Sequence, residues 1–358
     1  MKTTNNLSRR AMLGGMAAAS ASILAGGSRA FADGEKTRMG LADFSYIVRQ
    51  RKENKSAKFP RFANALEMLE HLHDIGLGGL QIGVGGWQTE FAKKLRERRE
   101  KMEMYIEGQI GLPKNEAAVE NFNKQIEIAK EAGASVIRTV FTGARRYEFF
   151  VSAEQFNKFK DDSWAALQLA APVAAKQKIK LAIENHKDLR SEELVDYIKR
   201  IGSEWIGVNF DTGNNIALLE DAEKTTELLA PYTFTLHLKD MAVDEYEDGF
   251  LLSEVILGTG FLDLKKIVDT CRRLNPSAQF NLEMPARDPL KVPVFTHKYW
   301  ATFAELPATQ LADTLAMVRK RKTAALPRPS KLPMEEQLAF EEEQIVKSMA
   351  YAREKLGL

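Results

Sequence analysis

Residues 179–240 hold three short apolar runs that each end on a polar group: Leu181-Ala182-Ile183-Glu184-Asn185-His186, Gly207-Val208-Asn209-Phe210-Asp211-Thr212-Gly213-Asn214 and Phe234-Thr235-Leu236-His237-Leu238-Lys239-Asp240. A fourth run, Phe280-Asn281-Leu282-Glu283-Met284-Pro285, follows. The runs are too short for helices and rich in Val, Ile, Leu and Phe, the pattern of parallel strands buried on both faces. Glu184, Asp211, His237 and Glu283 follow one another at spacings of 27, 26 and 46 residues. One strand–helix unit of a (βα)8 barrel takes roughly 30 residues, and such barrels keep their chemistry at the carboxyl ends of the strands.

The same alternation extends in both directions. Arg38–Phe44, Leu80–Val84, Met104–Glu107 and Val136–Phe141 read as the first four strands, Lys180–Glu184, Ile206–Asp211, Thr233–Leu238 and Gln279–Glu283 as the last four. Amphipathic helix patterns over Ala63–Ile75, Glu90–Arg99, Asn115–Glu131, Ala153–Ala175, Ser191–Ile201, Leu218–Leu229 and Leu262–Leu274 separate them, with Pro172 expected to kink or end the fourth. Eight strands alternating with helices, without paired hairpins, predict an α/β (βα)8 TIM barrel. A doubly wound open sheet is the alternative, but it has one crevice at its switch point, whereas polar groups here mark several successive strand ends.

At 358 residues, 44% hydrophobic and 28% charged, the chain has enough apolar material for one large domain. Residues 1–32 read as a targeting segment: Ser8-Arg9-Arg10 precedes an Ala-rich apolar run, and Ala30-Phe31-Ala32 supplies a small-x-small cleavage site. This predicts export by the twin-arginine route to the periplasm, with an uncleaved anchor as the alternative and no stable membrane insertion. The segment carries Lys2, Arg9, Arg10 and Arg29 and no acid, so its removal takes the formal charge from +2 to −2, and the slight basicity offers no footing for nucleic acid. The lone Cys271 can form no internal disulfide and is expected in the core. Residues 33–305 are assigned to the barrel. Residues 306–358, with helix patterns over Gln310–Lys322 and Glu335–Leu356, are assigned to a C-terminal helical extension that packs on the barrel or forms a homo-oligomer contact. The acidic segment Met241–Gly260 is expected to cover the active-site face.

Two glutamates, an aspartate and one histidine at strand ends make an oxygen-rich set suited to one divalent metal ion, Mn²⁺ first, with Mg²⁺, Co²⁺ or Zn²⁺ as alternatives. His186, one step past Glu184, is a substrate hydrogen-bond donor or a partner of a ligand. Lys239 lies on the same side of its strand as His237 and can neutralise an oxyanion, or pair with Asp240 or Glu283. Arg138 and Glu107, at the fourth and third strands, are further substrate-binding candidates, and Asp43 and Trp87 weaker ones for lining the pocket.

These motifs, with the loop Leu257-Gly258-Thr259-Gly260-Phe261-Leu262-Asp263, resemble the xylose isomerase-like TIM-barrel superfamily and its sugar phosphate isomerase/epimerase group, over roughly Met39–Arg287. The resemblance implies that Glu184, Asp211, His237 and Glu283 hold one divalent metal. It also implies that Glu184 and Glu283, on opposite faces of a sugar, remove and return a proton alpha to a carbonyl through an enediolate. The chain departs from the epimerases at Asn214, where those enzymes often have a histidine. The endonuclease branch of the fold uses several histidines in a three-zinc cluster, and the placing of His71, His73 and His297 on a helix and in the tail argues against it. The resulting expectation is a metal-dependent isomerase or epimerase acting on a small carbohydrate. The alternative is a lyase or glycoside-cleaving enzyme working on 3-keto-sugars by β-elimination, and a non-catalytic exported sugar-binding protein stands third.

Overall fold

The computed structural model describes residues 36–303, 305–323 and 326–358. Eight parallel strands close a barrel: β1 (Gly40–Ala42), β2 (Gly79–Gly83), β3 (Tyr105–Gln109), β4 (Val136–Thr139), β5 (Lys180–Glu184), β6 (Ile206–Asp211), β7 (Thr233–Leu238) and, after two intervening strands, β10 (Gln279–Leu282), which pairs with both β7 and β1. The expected (βα)8 architecture is therefore present, and the eight strand positions read from the sequence are those of the barrel. The targeting segment, residues 1–32, lies outside the described residues.

Four of the connecting helices start where a side chain supplies an acceptor for free backbone N–H groups. Asn64 caps Ala65–Asp74, Ser152 caps Ala153–Gln177, Asp221 caps Ala222–Leu229 and Asp263 caps Leu264–Leu274. Pro172 does not end its helix, which runs on to Gln177. Both Pro172 and Gln168, whose carbonyl the proline leaves without its usual donor, face solvent, so water can take that carbonyl. Among the described residues, no helix is long and apolar enough to cross a membrane.

The segment after β7 corrects the expectation that hairpins are absent. Strands β8 (Asp240–Tyr246) and β9 (Gly249–Val255) form an antiparallel hairpin, joined by β11 (Leu290–Val292) into a separate three-stranded sheet. Its inner face buries Met241, Val243, Phe250, Leu252 and Val292 with Tyr299 and Phe303. The hairpin grows from the carboxyl end of β7, so it stands beside the barrel mouth.

Of the tail, helix Met334–Tyr351 packs on the barrel. Its Glu341 carboxylate accepts the backbone N–H groups of Val48 (2.7 Å) and Arg49 (2.9 Å), just after β1. Its Ser348 Oγ accepts from Leu257 N, and Tyr351 covers Gly258, which has φ +83°, a left-handed conformation that favours glycine. The same helix therefore grips the start and the end of the barrel.

Candidate metal centre and active site

Side chains at every second strand position point into the barrel. Two successive layers of them are polar. The layer nearest the mouth contains Glu184, Asp211, His237 and Glu283, from four strands that are neighbours in the order β5, β6, β7, β10. Two residues earlier on their strands come Asn209, Thr235 and Asn281, with Gln81 and Glu107 opposite.

Each of the four residues offers one ligand atom, and these atoms lie within 4.8 Å of one another, all in buried side chains. Local hydrogen bonding aims them. Asp211 Oδ1 accepts the backbone N–H groups of Gly213 (2.9 Å) and Asn214 (3.0 Å), which leaves Oδ2 facing the group. Asn185 ties the end of β5 to β6 by accepting from Asp211 N at 2.7 Å and donating to Asp211 O at 2.9 Å. His237 Nε2 lies 2.6 Å from Gln81 Oε1, while Gln81 Nε2 donates to Glu107 Oε2 at 2.8 Å. The Glu107 contact orients the Gln81 amide, so its oxygen takes the Nε2 proton and the lone pair of His237 falls on Nδ1. That Nδ1 has no hydrogen-bond partner, and it stands 3.4 Å from Glu184 Oε2, 3.4 Å from Glu283 Oε1 and 4.0 Å from Asp211 Oδ2. An unpartnered imidazole nitrogen aimed at three carboxylates fits a cation among them, and three oxygens with one nitrogen match the ligand chemistry of Mn²⁺, Mg²⁺, Co²⁺ or Zn²⁺.

Cations control the charge state of the acids. Burial alone would raise Glu184, but the Arg138 guanidinium outweighs it and holds its carboxyl at about 2. Burial is likewise overcome at Glu283, where the Lys239 ammonium holds the carboxyl well below the usual range. Arg138 donates to Glu184 Oε2 through Nε (2.7 Å) and Nη2, and through Nη1 to Gln109 Oε1, which is in turn fastened to Asp43. Lys239 Nζ lies 2.7 Å from Asp211 Oδ2 and 2.5 Å from Glu283 Oε2.

The residues read from the sequence thus fall into distinct places. Arg138, Lys239 and His186 join the four-residue group. Burial pushes His186 down to about 3, which makes it a neutral imidazole. Its Nδ1 has no hydrogen-bond partner. Glu107 lies one layer deeper than a substrate contact would: its Oε2 accepts from Gln81, Thr235 (2.9 Å) and Asn281 (3.0 Å), and burial pushes it up to about 7. Asp240 does not pair with Lys239. It accepts the N–H groups of Met241, Gly258, Gly260 and Leu262, shaping the Leu257–Asp263 loop. Trp87 packs on Phe91.

Besides Arg287, three residues of the site escaped the sequence reading. Gln81 is one. Glu254, on β9, lies between Arg287 and Lys239 and puts the hairpin into the site. Lys187 is the third, a buried lysine whose ammonium donates to Asn214 Oδ1. Asn214 passes the contact on, its Nδ2 donating to Glu184 Oε1 at 3.2 Å.

Comparison with known proteins agrees with this fold. The family model of the xylose isomerase-like TIM barrel matches residues 69–320. A 3-oxo-isoapionate decarboxylase from Pectobacterium atrosepticum is 27% identical over 241 residues, 65% of this chain and 80% of that protein. Among solved structures, D-psicose 3-epimerase with D-tagatose from Clostridium cellulolyticum aligns with a TM-score of 0.55 at 11% identity, over 80% of this chain and 99% of that one. A xylose isomerase-like TIM barrel protein from Mycobacterium smegmatis in complex with magnesium aligns with a TM-score of 0.51 at 15% identity, over 80% and 100%. At such identities the two structures speak for the fold alone.

Proposed function

From the premise that this chain belongs to the xylose isomerase-like TIM barrel family, we propose that it is a divalent-metal-dependent isomerase or epimerase that moves a proton alpha to the carbonyl of a sugar. The observation that carries this reading is the placing of two carboxylates, Glu184 and Glu283, each 3.4 Å from His237 Nδ1 and each from an outer strand of the four-strand arc. Glu184, Asp211, His237 and Glu283 are the residues that would hold the metal. A cation bound there, Mn²⁺ by preference, supplies polarisation of the substrate carbonyl and charge neutralisation of the enediolate oxygens.

The remaining steps belong to the side chains. Arg138 and Lys239 keep both glutamates ionised, the form that accepts a proton. One glutamate removes the proton alpha to the carbonyl and becomes the neutral acid; the other takes a proton from water and gives it to the opposite face of the carbon, and the first then releases its own to water. His186, neutral through burial, donates a hydrogen bond to a substrate oxygen, as Arg138 and Lys239 do with charge.

A second reading has a specific observation in its favour: the Pectobacterium relative is a decarboxylase. Departure of a glycosidic oxygen from a 3-keto-sugar begins with the same proton abstraction, and loss of a carboxylate beta to a ketone reaches the same kind of enolate by releasing CO₂ instead of a proton. Incubation of Mn²⁺-loaded protein in D₂O with ketohexoses, 3-keto-glycosides and 3-keto-aldonates separates these outcomes. Exchange of one carbon-bound proton supports the isomerase, aglycone or CO₂ release the lyase, and absence of all three sinks both. We further propose that residues 1–32 direct export by the twin-arginine route to the periplasm. Fractionation of wild type and a protein with Arg9 and Arg10 changed to Lys tests it, and an unchanged distribution counts against it.

A further inference from the structure

Four cationic side chains converge on the site, and three have a carboxylate opposite them. Arg138 faces Glu184, Lys239 faces Asp211 and Glu283, and Arg287 faces Glu254. Lys187 is different. It is 2% exposed, yet among the described residues no carboxylate oxygen lies within 4 Å of its Nζ, and its one hydrogen bond goes to the neutral amide of Asn214. An ammonium has three donors, and taking it out of water without an anion is costly. A buried cation without a counter-ion is uncommon in a protein interior and needs a reason. Its surroundings sharpen the point, because after burial itself the positive charges of Lys239 and Arg287 act on Lys187 more strongly than the more distant carboxylates of Asp211 and Glu254. The place around Nζ is therefore one where a negative group is missing, two hydrogen bonds from Glu184 through Asn214.

We propose that Lys187 receives a carboxylate carried by the substrate, so that the enzyme acts on keto-sugar acids rather than on neutral ketoses. One uncompensated positive charge matches a monoanion. A phosphate, nearer two negative charges at neutral pH, calls for more donors than one ammonium and is the poorer match. Asn214 belongs to this assignment, since its Oδ1 fixes the ammonium while its Nδ2 reports to Glu184. The histidine expected at this position from the epimerase resemblance would not present an amide oxygen to Lys187 and an amide N–H to Glu184 together. The proposal deepens the enediolate reading and relies on it only for which end of the substrate reacts.

The test is binding rather than turnover. Mn²⁺-loaded protein is titrated calorimetrically with D-gluconate, D-glucitol and D-glucitol 6-phosphate, in wild type, Lys187→Met and Lys187→Arg. The wild type is expected to bind gluconate at least about tenfold more tightly than glucitol, since a charge-assisted hydrogen bond is added. Lys187→Met should bring that ratio to within about twofold of unity while glucitol binding holds, and Lys187→Arg should restore part of it. An unchanged ratio in Lys187→Met would place the carboxylate on the metal and overturn the proposal, as would glucitol binding equal to gluconate in wild type or tighter binding of the phosphate. The wild-type comparison stands even if Lys187→Met does not fold. Should the enediolate reading be the one that fails, D₂O exchange is absent while the gluconate preference persists.

Discussion

Gln81 and His237 meet inside the barrel, Oε1 to Nε2 at 2.6 Å, and join the second strand to the seventh. The contact holds the imidazole in the tautomer that leaves Nδ1 open towards the carboxylates, and Glu107 holds Gln81 in turn. Replacing Gln81 with Leu removes the acceptor and leaves a side chain of similar size. Affinity for Mn²⁺ should fall about 10–100-fold, the usual effect of losing such an outer partner. Competition against a fluorescent chelator measures it, and unchanged affinity would mean that His237 is oriented by packing alone.

Glu184→Gln and Glu283→Gln keep the shape of each side chain and remove its charge. Each should lower proton exchange or product release by roughly 10²–10⁴-fold, the span of general acid–base catalysis. Circular dichroism of both variants should match wild type. A sugar-binding protein without catalysis has no such activity to lose, so a measurable wild-type rate abolished by either change excludes it.

Lys187 carries a stability consequence of definite sign. Burial and its cationic neighbours push its ammonium down to about 7, below the unfolded value of about 10.4. The unfolded chain therefore binds the extra proton between those values, so this group costs stability in full below pH of about 7, and the cost fades as pH rises to about 10.4. Ligand-free Lys187→Met should be more stable than wild type at pH of about 6, by on the order of 1–4 kcal/mol, with the gain vanishing above pH of about 10.4. Denaturant titrations across this range check it, and a pH-independent difference would contradict the assignment.

Gly258 tests the tail's grip. Its φ of +83° and its contact with Tyr351 leave no place for a Cβ. Gly258→Ala should cost roughly 2–4 kcal/mol from backbone strain and crowding combined, seen as a lowered Tm. A Gly258→Ala, Tyr351→Ala double variant should cost less than the sum of the two single changes, because the two positions touch.

The eight strands and four ligand-type residues were legible because each ligand ends an apolar run, and a buried strand whose last side chain opens onto a site has that pattern. Gln81 was hidden by the same logic: a single polar residue inside Leu80-Gln81-Ile82 reads as an exception until Asn209, Thr235 and Asn281 are seen to share its layer. The period of two along each strand was the available signal. The hairpin after β7 also left a mark, since Asp248-Gly249 is a turn signal in sequence, and the chain does reverse there, through Glu247 and Asp248 with Tyr246 paired to Gly249. Its acidic composition masked this and concealed Glu254. Lys187 gave no sign, because a lysine beside Glu184, Asn185 and His186 is ordinarily solvated. Only the closure of the fold around it shows otherwise.

The contact of Glu341 with Val48 and Arg49 sets an order of events in the life of the chain. The amides that follow the first strand wait for a carboxylate near the other terminus, and the first strand itself pairs with one that lies late in the chain. During synthesis the polypeptide must leave the ribosome as far as Glu341 before the amides of Val48 and Arg49, some 293 residues earlier, find their acceptor.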